Sequence, residues 1–196
     1  MDLCLFQGTF NPIHNAHLRV AEYILNNSEI ETITFIPAYL PPHKESDISL
    51  AEHRYEMLKI ALAYNPNFKI SDIEYKRKGV SYTYLTICEL KKLYKINEKI
   101  KFIIGTDAFR QIESWYETDK LKELVEFIVF LRDTEFKEIE LEYLRKKGYS
   151  FRIMPLDFED ISSSDIRNKI SNNQPISGLV PQEVEEYIIK NELYKI

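Results

Sequence analysis

The sequence predicts an α/β protein with a doubly wound, mainly parallel sheet and helices on both faces. Short apolar runs alternate with stretches of helical spacing along the chain, an order that is typical of parallel strands joined by right-handed crossovers. Continuous apolar runs such as Phe102–Ile104 indicate strands that are covered on both faces. Sheets of this Rossmann-like kind bind ligands beyond the carboxyl ends of their strands, near the point where the strand order reverses.

Six apolar segments are predicted as strands, with helical patterns between them. The strands are Leu3–Phe6, Ile33–Ile36, Phe68–Tyr75, Ile100–Ile104, Phe127–Leu131 and Phe151–Met154. Ser49 and Glu52 have the spacing of a capping box, which predicts a helix from there through about Ala63. The segment Ile87–Tyr94 keeps the helical spacing expected of the next crossover.

Length and composition indicate one globular domain. The chain has 196 residues, enough to bury a substantial core. No repeat, low-complexity tract or linker rich in Gly or Ser divides it, so we predict a single domain over 1–196 in which 156–196 is a helical C-terminal part. The net charge of −5 argues against a nucleic-acid partner bound through a broad basic surface, but it leaves room for a local phosphate pocket.

The cysteines and the N-terminus bear on the compartment. Cys4 and Cys88 lie far apart in sequence, so neither a disulfide framework nor a zinc ribbon is predicted. Asp2 stands where a signal peptide would carry positive charge, and no apolar run approaches the ~18 residues of a membrane span. We therefore expect a soluble, cytoplasmic protein with no membrane partner.

The first candidate site follows the first predicted strand. The segment Gly8–His17 reads Gly-Thr-Phe-Asn-Pro-Ile-His-Asn-Ala-His and opens into a helical pattern. Loop amides and the N–H groups of a helix start converge there, and the helix dipole makes the spot attractive to anions. His14 and His17 are three apart, so both imidazoles can contact one phosphate chain. They are the leading catalytic candidates, although such a pair also fits a helix cap or an incidental surface feature.

The second candidate site is the segment Ile161–Arg167, which reads Ile-Ser-Ser-Ser-Asp-Ile-Arg before another helical pattern. Three successive hydroxyls at a helix start offer both caps and phosphate donors, and Arg167 lies one turn further on. This arrangement could close over a triphosphate. Taken alone, the segment also fits an ordinary N-cap followed by a solvated arginine.

Together the two motifs resemble the paired signatures of adenylyltransferases that join ATP to a small phosphate-bearing acceptor. Further stretches are similar to the bacterial nicotinate-nucleotide adenylyltransferases: Pro41–Lys44, Ser81–Thr83, Ile103–Asp107 and Trp115–Glu117. The resemblance runs from Leu3 to Ile188. It implies the nucleotidyltransferase fold and transfer of the adenylyl group of ATP to nicotinate mononucleotide, with release of pyrophosphate and with Mg²⁺ accompanying ATP as its cofactor.

The resemblance also implies residue roles. His14, His17 and Arg167 would be catalytic, with ATP bound by Gly8, Thr9, Phe10, His14, His17, Gly105, Asp107, Ile161, Ser163, Ser164 and Arg167, so that the C-terminal part completes the ATP site. The acceptor would be bound by His43, Lys44, Tyr82, Thr83, Trp115 and Tyr116. No residue is assigned to the metal ion. The expected partners are ATP and nicotinate mononucleotide, and a homo-oligomer is compatible with the sequence.

Several of these residues have other interpretations. Asp107 could cap a helix, Trp115 could belong to the core, and His43 and Lys44 could lie in a solvated loop. His53 and Arg54 lie within a predicted helix, where we expect them to be mainly structural.

The sequence departs from the family pattern at two positions. Gln7 stands where a glycine is common, and Ala16 replaces a glycine before the second histidine. The Ala16 methyl group is expected to reduce the room for a close phosphate. Ser164 stands where the family often has threonine and keeps the hydroxyl. Two functional alternatives remain, a phosphopantetheine adenylyltransferase and a nucleotide sensor that binds ATP without turnover.

Overall fold

A computed structural model describes residues 3–42, 48–131, 138–156 and 161–195, which form a six-stranded, all-parallel sheet flanked by helices. The strands are β1 (Cys4–Gly8), β2 (Ile33–Pro37), β3 (Phe68–Ile70), β4 (Ile100–Gly105), β5 (Val125–Phe130) and β6 (Phe151–Met154), in the order β3-β2-β1-β4-β5-β6. The helices are α1 (Asn15–Asn26), α2 (Ala51–Leu62), α3 (Ile73–Arg77), α4 (Thr83–Tyr94), α5 (Thr106–Arg110), α6 (Thr118–Leu124), α7 (Glu142–Lys146), α8 (Ser163–Ser171) and α9 (Gln182–Lys190). None of the helices in these ranges is long and apolar enough to cross a membrane.

The strand order reverses at β1, which pairs with β2 on one side and with β4 on the other. Phe6 lies opposite Phe35 of β2 and Ile103 of β4. β1 and β4 end at Gly8 and Gly105, so these two glycines mark the switch point where a doubly wound sheet binds its ligand. The predicted fold class is confirmed.

Alternating side chains of the strands pack into two cores, one on each face of the sheet. In β4, Ile103 packs with α1, α2, α8 and α9, whereas Phe102 and Ile104 pack with α3 to α7. This alternation explains why β4 is apolar throughout, because each face of a central parallel strand is covered by helices.

Two local predictions were wrong. The predicted strand Phe68–Tyr75 ends at Ile70, because Ser71 Oγ accepts a bond from the Ile73 amide in the turn that starts α3. The α2 helix begins after a 3₁₀ turn at Ile48–Leu50, and its N-cap is Leu50, which makes no side-chain capping bond. The capping box predicted from Ser49 is therefore not the cap of this helix.

Candidate active site

A cavity of about 620 Å³ opens at the carboxyl ends of β1 and β4. It brings together most of the residues predicted to bind ATP, which come from three separate stretches of the chain: Gly8, Thr9, Phe10, His14, His17, Gly105, Asp107, Ser163, Ser164 and Arg167. Polar and apolar groups line it together, as a site for a nucleotide requires. We call it the polar cavity.

The two histidines of the first motif stack at the start of α1. Their ring centroids are 3.6 Å apart with 30° between the planes. His14 is the N-cap and is buried, whereas His17 is half-buried. The His14 amide donates to His17 Nδ1 over 3.4 Å, which leaves the ring proton of a neutral His17 on Nε2. The pair therefore sits at the cap of α1, as the alternative interpretation expected, and it also lines the cavity. Its part in the chemistry stays a prediction.

The loop after β1 is shaped by a close contact between a glycine and an aromatic ring. Phe10 has a positive φ of 47° and packs edge-on against Phe6, with 5.8 Å between the ring centroids. A Cβ added at Gly8 would lie 2.9 Å from the Phe10 ring. Only glycine fits at this position without moving that ring.

The second motif reaches the same loop from the far end of the chain. Ser162 caps α8 by accepting from the Asp165 amide over 3.1 Å. Ser163 Oγ donates to the Pro12 carbonyl over 2.9 Å, and Arg167 donates to the Asn11 carbonyl over 2.8 Å and to Ser164 Oγ over 3.2 Å.

Tyr194, a residue that the sequence did not single out, secures the same loop. Its hydroxyl donates to Asn11 Oδ1 over 2.7 Å. Burial raises the pKa of Tyr194 above its usual value, so the hydroxyl keeps its proton for this bond. No local pattern could have indicated a contact across 183 positions.

Three other predicted details come out differently. Asp107 lies inside α5 after its N-cap Gly105, so it does not cap the helix; it lines the cavity and pairs with Arg110 at 3.6 Å. Ile161 is buried in the core and is not part of the cavity wall. Ala16 is also buried in the core, so its methyl group does not narrow the phosphate site as expected.

A second, more apolar cavity of about 420 Å³ adjoins the first. Its wall includes four of the residues predicted to bind the acceptor: Tyr82, Thr83, Trp115 and Tyr116. Trp115 is half-buried and packs edge-on against Phe102, and Tyr116 stacks on Tyr82 with 4.5 Å between the centroids. We call it the aromatic cavity. His43 and Lys44 lie outside the described residues.

The start of α4 also faces the aromatic cavity. Tyr82 is the N-cap of this helix and Thr83 its first residue, and both line the wall. The first amides of a twelve-residue helix lack partners within the helix and carry the positive end of its dipole. This end of the cavity therefore favours a negatively charged group.

The two cavities share a wall made of residues at the ends of β1 and β4: Phe6, Gln7, Gly8, Thr9, Gly105 and Ala108. Two ligands, one bound in each cavity, would meet at the switch point of the sheet. The shared glycines allow close approach there, because they bring no side chain between the two spaces.

A buried carboxylate bonded to Gln7 of the shared wall was not anticipated from the sequence. Glu74 is 1 % exposed and accepts from Gln7 Nε2 over 2.7 Å and from Thr86 Oγ1 over 2.5 Å. Its other oxygen accepts from the Tyr39 amide over 3.3 Å, and Arg77 lies 3.6 Å away. These bonds keep a buried carboxylate satisfied. Glu74 lies in the segment that was predicted as a strand, so no pattern in the sequence indicated that its side chain is buried.

The described residues hold no group of three or more His, Cys, Asp and Glu side chains that could bind a metal ion. A magnesium ion that accompanies ATP uses phosphate oxygens and water as ligands and needs few protein groups. How the expected magnesium ion is bound stays a prediction.

Comparisons with known proteins agree with this geometry. Residues 5–169 match the model of the cytidylyltransferase-like family. A probable nicotinate-nucleotide adenylyltransferase of Clostridium acetobutylicum is 42 % identical over 97 % of each chain, and one of Caldicellulosiruptor saccharolyticus is 39 % identical over the full length of both. Among solved structures, the Plasmodium falciparum nicotinic acid mononucleotide adenylyltransferase complexed with NaAD has a TM-score of 0.81 at 24 % identity, over 98 % of this chain and 97 % of that one.

Proposed function

The chain belongs to the nicotinate-nucleotide adenylyltransferases within the cytidylyltransferase-like family, and from that premise we infer that it joins ATP to nicotinate mononucleotide. The products are nicotinate adenine dinucleotide, a precursor of NAD, and pyrophosphate. The reaction is an in-line attack by an acceptor phosphate oxygen on the α-phosphorus of ATP, with pyrophosphate as the leaving group. The protein is thus a nucleotidyltransferase of NAD biosynthesis.

One structural observation supports placing this reaction at the two cavities. Two cavities of different character share the wall that includes Gly8, Thr9 and Gly105. A reaction between two phosphates needs both substrates to meet in the correct orientation, and positioning alone supplies much of the rate. The acceptor phosphate is largely ionised at neutral pH, so no strong base is required.

In this proposal the polar cavity holds ATP. His14 and His17 contact the phosphates near the reacting centre, with His17 Nε2–H as a donor. Ser163, Ser164 and Arg167 hold the distal phosphates, where the leaving pyrophosphate gains charge. Their positions in one cavity wall support these roles. Arg167 has to exchange its bond to the Asn11 carbonyl for bonds to phosphate.

The aromatic cavity holds nicotinate mononucleotide. Trp115 offers a ring surface for the pyridine ring, and the first amides of α4, beginning with that of Thr83, bind the carboxylate. The Tyr82 amide already donates to the Val80 carbonyl over 3.0 Å. A carboxylate gains more than a carboxamide at the positive end of a helix, which favours nicotinate over nicotinamide mononucleotide.

Further parts of the proposal concern the protein as a whole. Segment 156–196 completes the ATP site of a single domain, a role supported by Ser163, Ser164 and Arg167 in the cavity wall. The nucleotide brings Mg²⁺, which neutralises phosphate charge when bound. A cytoplasmic location and a homo-oligomer remain predictions.

Product analysis tests the function. The purified protein is given ATP, Mg²⁺ and one of three acceptors: nicotinate mononucleotide, nicotinamide mononucleotide or phosphopantetheine. We expect nicotinate adenine dinucleotide, identified by mass, in amounts equal to the pyrophosphate released. Exclusive use of phosphopantetheine, or ATP binding without product from any acceptor, would overturn the assignment.

A further inference from the structure

Arg54 of α2 is a fully buried arginine that donates only to backbone carbonyls. It is 0 % exposed, and its Nη1 donates to the Thr9 carbonyl over 2.8 Å and to the Ala38 carbonyl over 2.5 Å. Its Nη2 donates to the Tyr39 carbonyl over 3.0 Å. The sequence led us to expect a mainly structural residue here.

The buried guanidinium has no ion-pair partner among the described residues. Burial lowers the pKa of Arg54, yet an arginine side chain stays charged in proteins. Placing such a charge in the interior costs its hydration free energy, which hydrogen bonds have to offset. In Arg54 the three backbone carbonyls accept these bonds.

The three carbonyls belong to two loops. Thr9 lies in the loop after β1 and lines both cavities, whereas Ala38 lies in the loop after β2 and lines only the aromatic cavity. One guanidinium therefore ties the loop shared by both cavities to a loop of the aromatic cavity. Its planar fork fixes the spacing and angle of the groups it holds.

These bonds also fix which way the peptide groups face. The C=O and N–H of a trans peptide point in opposite directions. The Tyr39 amide, opposite the Ala38 carbonyl, donates to Glu74, and the Leu40 amide, opposite the Tyr39 carbonyl, donates to Ser81 Oγ over 3.1 Å. By the same geometry, the bond to the Thr9 carbonyl turns the Phe10 amide away from Arg54.

We propose that Arg54 is a positioning residue that holds the loop after β1 and the loop after β2 at the separation required for in-line attack. It touches neither substrate and acts through the backbone of Thr9, Ala38 and Tyr39. The inference rests on the proposed function, because it concerns the alignment of the two substrates. A loss of alignment lowers kcat, while each substrate still finds its own cavity.

The test variant is Arg54→Lys, which keeps the charge but replaces the planar fork with a single ammonium group. We expect kcat for adenylyl transfer to fall by about one to two orders of magnitude. The KM for ATP and the KM for nicotinate mononucleotide should each change by less than about threefold, as should the Kd of ATP measured alone by calorimetry.

Leu62→Ala is the matched control, because Leu62 is a buried residue of the same helix that lines neither cavity. It should lower the Tm but leave kcat unchanged below the transition. If Arg54→Lys folds and keeps a kcat within twofold of the parent, the inference fails. It also fails if Arg54→Lys and Leu62→Ala show equal decreases in kcat together with equal decreases in Tm. Absence of product from the parent protein would instead refute the proposed function.

Discussion

Gln7 Nε2 donates to the buried Glu74 carboxylate over 2.7 Å, linking the end of β1 to α3 across 67 positions. The family commonly has a glycine at position 7, so the side chain adds a bond that a glycine cannot make. It enters a network in which the same carboxylate also accepts from Thr86. The departure from the family pattern at position 7 thus bonds a residue of the wall shared by the two cavities to a buried carboxylate.

Replacing Gln7 with glycine should lower stability more than activity. The substitution removes a bond to a charged buried group, which is worth about 1.5–3 kcal/mol. Adenylyl transfer should remain within a few-fold of the parent, since a glycine is compatible with this position in the family. Urea unfolding and steady-state kinetics measure the two effects. A large loss of kcat without loss of stability would contradict this prediction.

Gln7→Glu is the companion variant. It places a second carboxylate against Glu74, and two buried carboxylates in contact cannot both ionise without cost. The variant should be less stable than Gln7→Gly at pH 8. Urea unfolding of the two variants measures the difference. Equal stabilities would show that the Gln7–Glu74 contact is not tight in solution.

His17→Asn should reduce kcat by roughly a hundredfold to a thousandfold, the usual cost of losing one donor to a charged transition state. Asparagine keeps a side-chain acceptor near the His14 amide, so α1 should keep its cap. His53→Asn is the matched control, because His53 bonds to Tyr187 over 3.0 Å outside both cavities. Steady-state kinetics on the folded variants compare their kcat values. Equal kcat values for His17→Asn and His53→Asn would show that His17 has no catalytic role.

Trp115→Ala should raise the KM for nicotinate mononucleotide about tenfold, because loss of an aromatic contact of about 1.4 kcal/mol corresponds to that factor. The Kd of ATP should be nearly unchanged, since Trp115 lines only the aromatic cavity. Tyr94→Ala is the control: an exposed aromatic residue of α4 outside both cavities. Calorimetry with each substrate separates the two effects. An unchanged KM for nicotinate mononucleotide would show that Trp115 has a structural role and does not bind the acceptor.

Gly8→Ala should destabilise the protein by about 1–3 kcal/mol and weaken ATP binding. The new methyl group would lie 2.9 Å from the Phe10 ring, which lines the polar cavity and has to move. The double variant Gly8→Ala with Phe10→Leu should recover part of the loss, since the smaller side chain relieves the contact. A strictly additive double-mutant cycle in urea unfolding would show that the ring is not the obstacle.

Glu29→Gln should reduce stability at pH 7 by about 0.2–1 kcal/mol, the range of a solvent-exposed ion pair. Hydrogen bonds from Arg152 and Lys101 lower the pKa of Glu29 from 4.5 to about 2. Because the folded state binds fewer protons, the contribution is complete above pH 4.5 and is lost as the pH falls toward 2. Urea unfolding from pH 7 to pH 2 should show the difference from the parent shrinking. A difference that stays constant with pH would rule out the ion pair as its cause.

The strands and the turn from β1 into α1 could be predicted because they depend on local patterns. Apolar runs identified all six strands. The error at Phe68–Tyr75 arose because apolar residues recur at Ile73 and Tyr75, beyond the polar turn of Ser71 and Asp72, where they belong to a short helix. The spacing of His14 and His17 was enough to place both rings on one helix start. His43 and Lys44 stay predictions, as does the metal ion.

By itself, the sequence determined the α/β fold, the two motifs predicted to bind phosphate and the family, because each is encoded in residues that are neighbours along the chain. Only the tertiary structure decided how the cavities are held together. Arg54 reaches Thr9 across 45 positions and Tyr194 reaches Asn11 across 183. A buried polar residue has to find its hydrogen-bond partners wherever the fold brings them, and no local spacing specifies which they are.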